Sequence, residues 1–351
     1  VVYSAVLGLF GLLICFFGNN ILIFSGQSRE LSEGGGRVIT VIGLGIPPHL
    51  VFLACSFFLE GLGRVGPGAI CMIFANVINL ILGVLLVGGS DWMTPLGAEG
   101  AAWATTISRW FLAIMMVGCV MLMRDQALFS LRSISLGGFS GWRHQRRLGY
   151  AMGLSLAVET LAFSIMQQFA GWLGTSELAA FAIAFQLLTI SFMVAIGIGA
   201  ATAVRVGIAF GQGNQKEIAL AGWTGFGLSV LVNAMIGMFI LIFAEPISGI
   251  FTADTAVLAF AIPLLFWVAL ALVTDGGQAV VANALRGRQD VWAACFIQGI
   301  VFLGIMVPLT WILSYTLELG AVGLFQGVLI AATLSVLLLS LRAHYLYLIE
   351  K

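Results

Sequence analysis

The chain has 351 residues, of which 61% are apolar and 9% charged, and its mean hydropathy is +1.10. Soluble domains average about 45–50% apolar and about 25% charged residues, so a soluble enzyme or binding module is excluded and an integral membrane protein is indicated. Fifteen basic residues balance fifteen acidic ones, which leaves no electrostatic signature of a nucleic-acid partner.

A helix crosses the hydrocarbon core with about 20 apolar residues, and the apolar content suffices for about ten crossings. Continuous apolar runs, without period-two alternation, exclude a transmembrane β-barrel. The predicted class is an all-α integral membrane protein. In chain order the runs predict spans at 1–24, 38–59, 69–89, 98–123, 148–171, 178–204, 221–244, 257–284, 291–314 and 321–346. The opening VVYSAVLGLF has neither methionine nor a basic stretch, so it reads as neither a signal peptide nor a natural start.

The second span contains Pro47-Pro48, read as a kink, and His49, read as packed at that kink rather than as a proton relay. Asn76 and Asn79 in the third span face either a cavity or a neighbouring helix. Arg109, inside the fourth span, is read as a structurally paired charge. Cys15, Cys55, Cys71, Cys119 and Cys295 all lie in apolar runs without ligand spacing, so they are read as inert thiols.

Twelve of the fifteen basic residues fall on alternate loops: Arg64, the group Arg124, Arg132, Arg143, Arg146 and Arg147, then Arg205, Lys216, Arg286, Arg288, Arg342 and Lys351. The positive-inside rule assigns these loops, and both visible chain ends, to the cytoplasm. Glu60, Arg64, Arg286 and Asp290 are read as contacts that fix cytoplasmic loops.

The sequence also repeats. Ile21-Leu22-Ile23-Phe24 recurs as Ile240-Leu241-Ile242-Phe243, Leu59–Arg64 resembles Leu285–Asp290, and Leu96–Gly100 resembles Leu319–Gly323, at an offset near 223. An even number of spans separates the copies, which gives a parallel repeat about an axis along the membrane normal. Residues 148–351 form a six-span C-terminal lobe and 1–123 a four-span partial N-terminal lobe, joined by an Arg-rich linker at 124–147. The offset places two further spans, about 75 residues, ahead of Val1, for twelve spans in two lobes of six.

An ionised carboxylate at membrane depth costs about 2.5 kcal/mol or more, so each one is a functional candidate. Glu159 heads a polar strip with Ser155, Phe163 and Gln167 at i, i+4 spacing. Asp275 lies between Thr274 and Gly276-Gly277, with Gln278 and Asn283 read as sharing its face. The glycines allow a neighbouring helix to approach closely. Together Glu159 and Asp275 are predicted to form a site for Na+ or H+. HExxH, GxSxG, P-loop and paired CxxC motifs are all absent from the sequence, so neither an enzyme nor a nucleotide-driven pump is indicated.

These residues carry a resemblance. Glu159-Thr160-Leu161, Leu173-Gly174, Leu178-Ala179-Ala180, Gln186, Ala200-Ala201 through Arg205-Val206-Gly207, and Gly211-Gln212-Gly213-Asn214 resemble the seventh and eighth helices of the multidrug and toxic compound extrusion (MATE) family. Leu285-Arg286-Gly287 with Asp290, Gly61-Leu62-Gly63-Arg64, Asn79, and Pro95-Leu96-Gly97 through Ala104-Thr105 resemble further family motifs, so the likeness covers essentially the whole chain from the family's third helix onward. It implies a two-lobed transporter of a bacterial inner membrane, expected as a monomer, that exchanges Na+ or H+ for cationic amphipathic drugs by alternating access and needs no cofactor. In the NorM-like branch, acids of the seventh and tenth helices bind the coupling cation, and Glu159 and Asp275 fall on those positions. Gln186, Gln278 and Asn79 are then candidate substrate-cavity contacts. The sequence departs from the family at Ala271, Ala151, Ala195 and Phe181-Ala182, where a tyrosine, two prolines and a His-Gln pair are usual. Two other readings stand beside this one: a lipid or polysaccharide exporter of related fold, and a truncated chain that does not transport.

Overall fold

In hydrocarbon, a backbone must satisfy its own N–H and C=O groups, and the apolar runs do so as helices. The computed structural model describes residues 2–24, 29–89, 94–123 and 142–349, with no strand among the described residues. Nine helices there are long and apolar enough to cross a bilayer. A tenth span results if α1 (Val2–Phe16) and α2 (Gly18–Phe24), bent by 52°, count together. The ten apolar runs are therefore all found as helices. The chain divides into two compact units, Val1–Leu136 and Gly137–Lys351.

In the first unit, α3 (Arg29–Leu44) is followed by α4 (Ile46–Gly61), α5 (Gly66–Gly88) and α6 (Gly97–Met121). The polar stretch with Arg29, Glu33 and Arg37, expected as a loop, is helical. Arg29 Nε meets Glu33 Oε1 at 3.2 Å one turn on, and Gly35 and Gly36 lie against Leu22 and Asn19 of α2, where a Cβ at Gly36 would come within 3.0 Å of Asn19 Cα.

Pro47 and Pro48 lie just past a break in the span Ser32–Gly61, which joins α3 and α4. They occupy the first turn of α4, where a missing N–H leaves nothing unpaired, and the break falls at Gly45. The Gly45 N–H turns to the Ile42 carbonyl (2.9 Å), and the Val41 carbonyl accepts from Thr106 Oγ1 of α6 (2.7 Å). Arg109 lies alongside this break, its Cδ 2.9 Å from where a Gly45 Cβ would sit. His49 stacks on Phe52 with ring centroids 6.2 Å apart.

The second unit comprises α7 (Arg143–Leu173), α8 (Thr175–Gly211), α9 (Gln215–Ile242), the short α10 (Ala244–Phe251) and α11 (Thr255–Gly287). The next span, Val291–Thr316, is composite: α12 (Val291–Gly299), a π-helical stretch Ile300–Met306, α13 (Val307–Trp311) and a second π-helical stretch Ile312–Thr316. The last helix is α14 (Gly320–Ile349). α11 is the central helix, packed on α8, α9 and α14. Its Leu264, Leu265, Val268 and Leu272 join Phe181, Phe302 and Phe325 in one core. Helices run past their apolar stretches at both ends, so Arg143, Arg146 and Arg147 belong to the start of α7 and Arg286 to the end of α11. Arg124 and Arg132 lie outside the described residues.

The repeated loops share one backbone form. Gly63 has φ +73° and donates to the Glu60 carbonyl (2.8 Å), while Arg64 donates to the Leu59 carbonyl (2.8 Å). At the matching positions Gln289 has φ +68° and donates to Arg286 (2.9 Å), while Asp290 donates to Leu285 (2.9 Å). In the other pair, Gly97 and Gly320 have φ +55° and +58°. Three residues on, Gly100 and Gly323 each lie directly against the backbone of the preceding span, at Leu86 and Leu313.

Candidate functional site

Within the second unit, α7, α8 and α11 line a half-open cavity of about 290 Å³. From α7 it is lined by Glu159, Phe163 and Gln167, three members of the strip read from the sequence, with Thr160 and Ser164 beside them. Phe185 and Thr189 come from α8, and Asp275 from α11. Two carboxyl groups from helices more than a hundred residues apart therefore face one space, close enough that the charge of Glu159 acts on Asp275. The volume suits a small cation with some of its water, since liquid water takes about 30 Å³ per molecule, and lies at the lower limit of drug-sized pockets, about 300 Å³.

Asp275 is 2% exposed and Gln278, one turn on, 0%. Gln278 Nε2 donates to Asp275 Oδ1 (3.4 Å). Gln278 Oε1 in turn accepts from Gln298 Nε2 of α12 (3.2 Å) and from Ser335 Oγ of α14 (3.4 Å). Gln298 Oε1 accepts from an Arg286 guanidinium nitrogen (3.3 Å), and Arg286 also lies within electrostatic reach of Glu159. Arg286 thus turns into the unit and does not fix the loop that follows it. That task falls to Asp290, whose carboxylate takes two contacts from Arg342 of α14, the shorter 2.8 Å.

The glycines beside Asp275 have the role expected of them. A Cβ at Gly276 would lie 2.5 Å from Asn233 Nδ2, and one at Gly277 2.9 Å from the Phe226 ring, so α9 packs directly on α11 at the acid. Asn283 does not share the Asp275 face: its side chain meets Gly199 of α8 and donates to its own Ala279 carbonyl (2.9 Å). Eight residues along a helix amount to about 80° of rotation, which carries Asn283 off the stripe. Gln186 is exposed on α8 and is not part of the cavity lining. Asn79 lies half-buried on α5 in the first unit.

Among the described residues, no three His, Cys, Asp or Glu side chains converge on a point. A cation between Glu159 and Asp275 would complete its shell with water, hydroxyl, amide or carbonyl oxygens. The sequence reading passed over Gln298, Ser335 and the inward course of Arg286. A stripe at i, i+3, i+7 and i+11 from Asp275, through Gln278 and Ala282 to Arg286, is the signal that could have revealed the last.

The MatE family model matches residues 1–85 and 151–312. The chain belongs to the MatE family. Its second match spans Glu159, Asp275, Arg286 and Gln298, while Ser335 lies beyond it. Among curated MatE relatives, the "Probable multidrug resistance protein NorM" of Caulobacter vibrioides is 32% identical over 98% of this chain and 74% of its own length. The protein of the same name from Pseudomonas putida is 28% identical over 92% of this chain and 71% of its own. Among solved structures, the outward-facing conformation of a multidrug resistance MATE family transporter of the MOP superfamily aligns with a TM-score of 0.89 at 19% identity, covering 99% of this chain and 77% of that one. The eukaryotic MATE transporter AtDTX14 aligns at 0.85 and 20% identity, covering 97% and 75%. The chain thus has the MATE transporter fold and is a multi-pass membrane protein.

Proposed function

We propose that this MatE chain is a secondary antiporter of a bacterial inner membrane, exporting cationic amphipathic drugs in exchange for Na+ or H+. The observation that carries the reading is the single cavity lined by Glu159 and Asp275 inside a membrane-spanning unit. Carboxyl groups are retained at such depth when they meet a cation or a proton. An ion and a cationic drug that compete for these two groups, each reaching them from alternate sides, are thereby coupled. One-for-one exchange of two monovalent cations moves no net charge, so the concentration gradient of the coupling ion is the driving force, and a tenfold ion gradient, about 1.4 kcal/mol, sustains a tenfold drug gradient. Either ion acts as substrate, so no resident metal or cofactor is required. The cavity lining has two carboxyls and no basic side chain, which favours a cationic cargo over the phosphate of a lipid-linked sugar.

Ethidium efflux from proteoliposomes under imposed Na+ or H+ gradients tests this. Cation-linked efflux by the wild type should disappear in Asp275→Asn while insertion and folding persist. Efflux in Asp275→Asn that still follows the ion gradient would defeat the site assignment.

A further inference from the structure

The hydrogen bonds between Arg286 and Asp275 have a direction that the chemistry of the donors dictates. A guanidinium can only donate, so the atom of Gln298 that meets it must be Oε1 (3.3 Å). The opposite end of that amide is then Nε2, which donates to Gln278 Oε1 (3.2 Å). Ser335 Oγ, a hydroxyl that can donate or accept, donates to the same oxygen (3.4 Å) in this arrangement. The remaining end of Gln278 is again an N–H pair, and it is directed at Asp275 Oδ1 (3.4 Å). Gln278, Gln298 and Ser335 are each at most 2% exposed, so bulk water does not compete for these three, while Asp275 has the cavity on its other side. Reversing either amide would set N–H against N–H at one junction, a cost of the order of a lost buried hydrogen bond.

We infer that Arg286 and Gln298 are positioning residues for Asp275: a one-way chain of two amides, anchored by the Arg286 guanidinium, holds the Asp275 carboxylate as a hydrogen-bond acceptor facing the cavity. Its role in cation exchange rests on the antiporter reading; its effect on Asp275 does not. Arg286 also acts on Glu159 by charge. One guanidinium therefore addresses both cavity acids, Glu159 through space and Asp275 through the amides. An arriving cation meets the Asp275 carboxyl already oriented, without breaking the chain behind it.

The test uses dicyclohexylcarbodiimide, which modifies protonated carboxyl groups in apolar surroundings, on the full chain in lipid nanodiscs. Labelling is quantified by peptide mass spectrometry at Asp275, with intact folding of each variant checked by thermal unfolding. Gln298→Met keeps length and apolar packing but cuts the chain, and Arg286→Met removes its anchor. At a pH alkaline enough that only a small fraction of wild-type Asp275 is labelled, both should raise Asp275 labelling roughly fivefold, the scale of one hydrogen bond. Arg286→Lys, still a donor-only cation, should stay near the wild type. Equal Asp275 labelling in the wild type, Gln298→Met and Arg286→Met, absence of labelling included, would overturn the inference and leave a packing role. In the efflux assay Gln298→Met should weaken apparent cation affinity with the maximal rate retained. A wild type without cation-linked efflux would defeat the antiporter reading alone, since labelling still decides the chain's effect on Asp275.

Discussion

Gln289 occupies the left-handed region at φ +68°, a position its counterpart in the first unit fills with Gly63 at φ +73°. A side chain there costs about 1–2 kcal/mol, offset in part because glycine loosens the unfolded chain by about 0.4–1 kcal/mol. Gln289→Gly should therefore raise the unfolding temperature slightly, by a net of roughly 0.5–1 kcal/mol. Calorimetry of the detergent-solubilised protein checks this, and a lowered midpoint would show that the Gln289 side chain makes a compensating contact. At the same scale, Glu159 and Asp275 were legible because each is a lone carboxyl within an apolar run. Arg286 was not, since a basic residue near a span end is already accounted for by membrane orientation. The helical stripe from Asp275 through Gln278 to Arg286 is the one pointer to its inward course in the sequence, and the α12 neighbour Gln298 shows that course directly.

Helices meet most tightly where glycine removes the barrier between backbones. At the end of α11 a Cβ on Gly287 would lie 2.5 Å from the Ala203 carbonyl oxygen of α8, a rigid atom that cannot swing aside. Gly287→Ala should cost about 1–3 kcal/mol through overpacking, lowering the thermal midpoint. Gly227→Ala on α9, where nothing lies within 4 Å of the added carbon, should be neutral or mildly stabilising on helix propensity. A comparison of the two midpoints isolates packing from propensity, and equal midpoints would refute the close seam. Element boundaries were less legible than element number. Periodicity locates apolar runs, but backbone hydrogen bonds carry α3 back to Arg29 and α7 back to Arg143, where polar side chains tolerate a helix that has left the hydrocarbon. The prolines at 47 and 48 marked an interruption correctly, yet composition could not distinguish a kink from a restart, which depends on Thr106 of another helix taking up the Val41 carbonyl.

Across the whole molecule, we propose the orientation that the positive-inside rule gives, with the loop at Gln289 in the cytoplasm and the turn at Glu318 on the opposite side. In a variant without the five native cysteines, Cys placed at Gln289 should react with a membrane-impermeant maleimide only in inverted vesicles. Cys placed at Glu318 should react only in right-side-out ones. Reversed labelling would invert the topology. The crossing number and the internal repeat were readable because both depend on long, cumulative patterns. The repeat extends to backbone angles at Gly97 and Gly320 and to the close approach of Gly100 and Gly323 to the spans before them. The cavity was only half readable, since its α8 wall of Phe185 and Thr189 looks like ordinary helix sequence.

The two π-helical stretches of the Val291–Thr316 span have a consequence for how this chain tolerates change in length. A π turn closes its hydrogen bond one residue later than an α turn, so Ile300–Met306 and Ile312–Thr316 each hold surplus residue that an α-helix would lack. Deleting one residue from the first stretch should let that turn revert to α-helix without breaking the span. Because the residue removed is the surplus one, the flanking segments would keep nearly the same phase, and Gln298 would stay on the face it now presents. In this span a one-residue deletion is therefore absorbed as a change of turn type, and the faces that the flanking segments present to their neighbours are kept.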